Sequence, residues 1–197
     1  MGIGEQFNKL TGKTRYVVAR IFVHLCGEEV TPVLGVLNQA GRQTLEADGD
    51  LTIAGECLAE VCQNLLQYEH SWRSAANEGE VMWNEGDAGG FVNELFTDSA
   101  QRYLSEPDPT AKANPELTLA PTPNLVVIIT VAFTGEDDSI EANLSQVAPL
   151  RVALKSIINL HYQSRLEAVQ VHFSPAQLGD QLSDDQVLQN FPELLPL

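Results

Sequence analysis

Positive charge is scarce in this sequence: Lys and Arg total 11 against 27 Asp and Glu, a formal charge of −16 over 197 residues. Nucleic-acid binding takes most of its affinity from cations that displace condensed counterions, so no nucleic-acid partner is expected. Broad adsorption to anionic lipid is disfavoured on the same ground. No run of about eighteen apolar residues occurs, so no membrane-spanning helix is expected. The opening MGIGEQFNKLTGKTR has neither the apolar stretch nor the cleavage site of a secretory leader. Gln6 stands where a myristoylation signal needs Ser or Thr. Cysteine is limited to Cys26, Cys57 and Cys62. Cys57 and Cys62 fall in one helical stretch and project in different directions, so all three are expected to be free core thiols in a reducing compartment.

Several chemical motifs are missing as well. The histidines are His24, His70, His161 and His172, with no HxxxH, and the cysteines form no CxxC. His24 and His172 fall on the mixed faces of two strands, and a ferredoxin-like sheet would set them near opposite ends. GxSxG, GxGxxG and a Walker loop are absent. Gly86-Asp87-Ala88-Gly89-Gly90 precedes a helix, where backbone N–H groups can hold an anion, but Asp87 would repel one. Asp137-Asp138 and Asp184-Asp185 read as a solvated turn and a helix N-cap. The residues therefore designate no catalytic, cofactor-binding or metal site.

Hydrophobic residues make up 44% of the chain, enough for a core. Tyr16–Leu25 alternates with period two: Val17, Ala19, Ile21, Val23 and Leu25 are all apolar, whereas Tyr16, Val18, Arg20, Phe22 and His24 form a mixed face. Thr31-Pro32 opens a helix carrying Val33, Leu34, Leu37, Ala40 and Thr44, and Asp48-Gly49-Asp50 breaks it. A second helix follows with Leu51, Ala54, Leu58, Val61, Cys62 and Leu65 on one stripe. Glu80–Asn84 is a short strand candidate, and Phe91 to Leu104 spaces a third helix. Prolines 107, 109, 115, 121 and 123 then mark a linker at 105–123. Beyond it lie the apolar strand 125–133, a helix bearing Leu150, Leu154 and Ile157, a strand over 166–173, and a short helix through Asn190.

The order β-αα-β-α, linker, β-α-β-α predicts an α+β fold. The expectation is a single sheet of about four strands in a ferredoxin-like, split βαβ arrangement, with helices on one face. Residues 15–197 would form one domain, the alternative being two subdomains divided at the linker. Residues 1–14 form a basic arm with Lys9 and Lys13, and Ile3, Phe7 and Leu10 at helical spacing. Membrane contact is expected to be peripheral at most, through that arm.

The candidate partner surface is the open sheet face (Tyr16, Arg20, Phe22, His24) together with an aromatic edge formed by Trp72 and Trp83 beside Met82. Packing of the helix hairpin against an edge strand is the other reading of those tryptophans.

Toward the C-terminus, Leu150-Arg151 and Ala153-Leu154 precede Arg165-Leu166-Glu167-Ala168-Val169-Gln170-Val171. Ser174-Pro175, Leu182-Ser183-Asp184-Asp185 and the closing Phe191-Pro192-Glu193-Leu194-Leu195-Pro196-Leu197 complete the pattern. With the strand VVIITVAF and the stretch Leu58 to Trp72, this resembles the cyanobacterial and plastid domain of unknown function 1517 family. The likeness covers most of residues 15–197. Relatives include a chloroplast protein of acclimation to fluctuating light, and many carry membrane-spanning and glycine-rich segments ahead of the domain. The resemblance implies an accessory or regulatory protein of a photosynthetic cell that works without turnover by binding another protein. This chain departs from that pattern, with only about fifteen residues before its first strand; with its free thiols, a cytoplasmic location is expected, at most peripheral to the thylakoid, with a homodimer open. A small-molecule sensor and an enzyme with an unrecognised site are the competing readings.

Overall fold

The computed structural model describes residues 14–27, 30–102, 124–176 and 180–197. Residues 1–13 of the basic arm, the proline-rich linker, and Tyr103 and Leu104 of the third helix lie outside them. Strand β1 (Tyr16–Cys26) leads into helices α1 (Thr31–Glu46) and α2 (Leu51–Gln67), then β2 (Trp72–Met82) and α3 (Glu85–Gln101). The second half supplies β3 (Asn124–Thr134), the short α4 (Asp138–Glu141), α5 (Val147–Tyr162), β4 (Leu166–Ser174), α6 (Asp184–Asn190) and β5 (Leu195–Pro196). Asp50 caps α2, accepting hydrogen bonds from the N–H groups of Thr52 (2.8 Å) and Ile53 (3.1 Å).

The sheet is antiparallel throughout, in the order β4-β3-β1-β2-β5. It has five strands rather than about four. Nor does it follow a ferredoxin-like order, in which each half's two strands are separated by a strand of the other half. Here β1 pairs directly with β2, and β3 directly with β4. The reason lies in β2, which begins at Trp72 rather than Glu80. Arg73, Ser74, Asn77, Glu78 and Gly79 give its first part the composition of a loop, and tertiary pairing with β1 overrides that local signal. A Cβ on Gly79 would meet the Val18 carbonyl oxygen at 2.7 Å, so glycine permits the close approach of the two strands there.

Helices cover both faces of the sheet, not one. On the first face Ile21, Val23, Leu25, Val127, Ile129 and Phe133 pack with α1, α2 and α5 in the main core. On the second, α3 sets Ala88, Val92 and Leu95 over Val18 and Ala132. Leu182, Val187 and Phe191 lie over Phe22, Val126 and Ile128. Each fully buried aliphatic or Phe side chain contributes about 1.5–3 kcal/mol, which is why β1 and β3, covered on both sides, anchor the sheet. Cys57 and Cys62 are buried and Cys26 is half-buried, all three as free thiols.

Helices α2 and α5 approach closely at Gly55, where an added Cβ would overlap the His161 ring. Gly55→Ala should therefore lower stability by about 1–3 kcal/mol in urea denaturation, although Ala is the better helix former. Adding His161→Ala should recover most of that loss. A Gly55→Ala protein as stable as the parent would contradict this packing.

Candidate functional site

The second face of the sheet carries its polar residues in rows that the strand register defines. One row runs Glu78, Arg20, Thr130, Gln170 across β2, β1, β3 and β4. The next holds Ala76, Phe22, Ile128 and His172, and the one beyond it Ser74, His24, Val126 and Ser174.

Arg20 is the centre of the first row. Its guanidinium is buried, and Nε donates to Glu78 Oε1 at 2.8 Å. Nη1 donates to Asp98 of α3, to Ser99 Oγ (3.1 Å) and to the Leu95 carbonyl (3.3 Å). The cation also stands 5.0 Å from the centroid of the Phe22 ring, with Arg102 over the same ring at 5.6 Å. Burial works against ionisation of Asp98, but the hydrogen bond and charge of Arg20, joined by Arg102, outweigh it and hold the carboxyl below its usual range.

Both ring nitrogens of His24 are engaged: Nδ1 with Ser74 Oγ at 2.9 Å and Nε2 with Asn124 Oδ1 at 3.0 Å. Burial lowers its pKa, the Asn124 bond and Asp184 partly restore it, and Arg73 lowers it further. His172 is lowered by burial and then by the charge of Arg20. Its Nδ1, Thr130 Oγ1 and Gln170 Oε1 are buried without a hydrogen-bond partner. Since β1 and β4 are both antiparallel to β3, they run parallel. His24 and His172 therefore lie in successive rows toward the same end of the sheet, correcting the expectation of opposite ends. Among the described residues no three His, Cys, Asp or Glu side chains gather closely enough to hold a metal ion.

The structure separates the expected partner surface. Arg20 and Phe22 are 3% and 1% exposed, beneath α3 and Phe191, so the face read as open is filled. Tyr16 and His24 are half-buried. Trp72 is buried at the start of β2, and Trp83 is 45% exposed just past its end, roughly 36 Å away along the strand. The two tryptophans form no single patch.

A different surface emerges at β4. No strand pairs with its outer edge among the described residues, and of its nine residues Glu167 is the one carboxylate. The opposite edge is guarded: β5 pairs with Ser74 and Ala75, Asn77 bonds Ala142 O and Leu144 N, and Glu78 and Glu80 follow. Beside β4 lies an apolar cleft of about 280 Å³, lined by Leu37 and Leu45 of α1, Cys57 and Leu58 of α2, and Val169 and Phe173 of the strand. Leu45 is 82% exposed at its margin. Sequence reading missed this surface because alternation over 166–173 looks the same in an inner strand and an edge strand.

Fold and site together define a two-sided, antiparallel α+β protein whose sheet, among the described residues, has one guarded and one unguarded edge. The family described as "Protein of unknown function (DUF1517)" matches residues 15–197, and the chain belongs to it. No curated protein and no solved structure matches the chain.

Both lowered imidazoles tie stability to pH. The unfolded histidines gain protons as pH falls through about 6.5, before the folded ones do, so stability is full above that value and is lost below it. The melting temperature should drop by roughly 2–6 °C between about pH 7.5 and 5.5. His172→Gln should make that slope shallower; an unchanged slope would contradict the burial of a neutral imidazole.

Proposed function

We propose that this protein is an accessory or regulatory factor of a photosynthetic cell, acting by protein association without turnover in the adjustment of photosynthesis to changing light. The cell type and process rest on the family resemblance. The single observation that supports association is the unguarded β4 edge. A long edge strand with a single charged residue, Glu167, presents backbone N–H and C=O groups that take no strand partner among the described residues, and chains normally blunt such edges. Strand addition there supplies affinity through main-chain hydrogen bonds and specificity through pockets for alternate side chains.

The occupant is an extended segment of a partner in which apolar residues alternate with basic ones. Its apolar side chains enter the cleft beneath α1 and α2. Its charge answers Glu167 on β4 and, at longer range, Glu46, Glu56 and Glu60, which line a separate cleft between α1 and α2; Arg42 is the one cation on these three elements. A second copy of this chain would bring the same acidic surface and be repelled by it. A small-molecule-sensing role is favoured by one observation, the unpartnered polar atoms of Thr130, Gln170 and His172.

The test is retention of cell proteins on the immobilised chain after shifts between dim and bright light, in parallel with Val171→Lys and with the combined Glu46→Lys, Glu56→Lys, Glu60→Lys variant. A partner held by the parent should be lost from the first variant and weakened about tenfold or more in the second, and by raised salt. Retention indifferent to both variants would remove the β4 surface. No reproducible partner, with a rise in melting temperature on adding a metabolite, would favour sensing instead.

A further inference from the structure

Three strands and a helix start each deliver one polar side chain to the same end of the second sheet face. Ser74 on β2 lies directly opposite His24 on β1, Asn124 opens β3, and Asp184 opens α6. Their hydrogen bonds form a line: Ser74 Oγ with His24 Nδ1 (2.9 Å), His24 Nε2 with Asn124 Oδ1 (3.0 Å), and Asn124 Nδ2 donating to Asp184 Oδ1 (2.8 Å) and to the Leu182 carbonyl (2.9 Å).

This line fixes every proton in it. Asn124 Nδ2 has two acceptors, so the amide is turned with its carbonyl oxygen toward His24. That oxygen only accepts, so Nε2 of His24 carries the ring hydrogen. Nδ1 is then left with a lone pair, and the Ser74 hydroxyl donates to it. A hydroxyl donating to a neutral imidazole whose far N–H is held by a third group is the arrangement that makes serine nucleophilic. Burial also grades along the line. Asn124 is 2% exposed, whereas His24 and Ser74 are half-buried, so the orienting end is sealed while the His24–Ser74 end keeps partial contact with solvent.

We propose that Ser74 is a nucleophilic acyl-acceptor site, with His24 as its base and Asn124 as the positioning residue, and that it takes an acyl group from a small activated ester or thioester. In the step, Ser74 Oγ forms a bond to the carbonyl carbon of the donor while its proton passes to His24 Nδ1. The bond from that carbon to the leaving oxygen or sulfur breaks, and His24 returns the proton to the leaving group. The products are an acyl-serine and a free alcohol or thiol. Ala76 and Phe22, two residues on from Ser74 and His24 along the same face, with Phe191 packed against them, make the neighbourhood apolar. The acidity of the chain disfavours anionic donors, which leaves an uncharged acyl group. One acylation event alters Ser74 without requiring turnover and does not depend on what binds at β4.

The test is p-nitrophenyl acetate with the full-length protein, reading released p-nitrophenolate and locating the acetyl group by peptide mass mapping. Ser74 should be acetylated about 100-fold or more faster than the exposed Ser164, in a burst of one equivalent. Ser74→Ala should abolish the burst, and His24→Gln should reduce it to the Ser164 rate. Asn124→Ala should slow it and shift its pH profile. The parent profile should rise as His24 loses its proton, with the midpoint below 6.5; Asp184 raises that midpoint and Arg73 lowers it. Ser74→Cys offers a second reading in a chain with the relay intact: iodoacetamide should alkylate Cys at that position well ahead of the half-buried Cys26. Acetylation of Ser74 no faster than Ser164, or a burst unaffected by His24→Gln, would overturn the proposal.

Discussion

A guanidinium buried in a β-sheet must be surrounded by acceptors, and the packing of the second sheet face follows from how Arg20 meets that demand. Glu78 supplies one carboxylate from the neighbouring strand. The others come from α3, through Asp98, Ser99 and the Leu95 carbonyl. Removing one partner of a buried charge leaves the other exposed to the full desolvation penalty. Helix α3 is thereby latched to the second face, and Ala88, Val92 and Leu95 bury their apolar surface as a consequence. Arg102, one turn beyond Asp98, extends the latch to Glu193 near the C-terminus. The face that alternation alone marks as mixed is thus the inside of a second, smaller core.

That example shows where the sequence was legible and where it was not. The alternation of β1, the apolar run of β3 and the helical stripes of α1, α2 and α5 each report a local environment, and each element formed where its period placed it. Arg20 and His24 look like surface residues because sequence carries no sign of Asp98, Asn124 and Asp184 arriving from distant positions to satisfy them. The early part of β2 was hidden for a related reason: two of its polar residues, Ser74 and Glu78, are the ones that pair with His24 and Arg20. Strand order was similarly out of reach. Period two tells which side of a strand is dry, but not whether its neighbour is on the left, the right or absent, and the β4 edge depends on that distinction.

Two features of the architecture divide the molecule's possible chemistry between them. At β4 the outer edge takes no strand partner among the described residues, and it lies beside an apolar cleft. At the Ser74 end of the other face the side chains form an ordered donor–acceptor line instead. The first suits recognition of an extended segment by shape, hydrogen bonding and charge. The second suits a local change of covalent state. β3 contributes to both, pairing with β4 along its length and opening with Asn124.

Amide hydrogen–deuterium exchange of residues 166–174, with and without the bound partner, tests the central claim most directly, because outward-facing amides of an unpaired edge strand exchange readily until another strand takes them up. Slowed exchange across this segment, with little change over residues 76–83 of the guarded edge, is the predicted result. Protection confined to the region around Trp83, with β4 exchanging as before, would contradict the account.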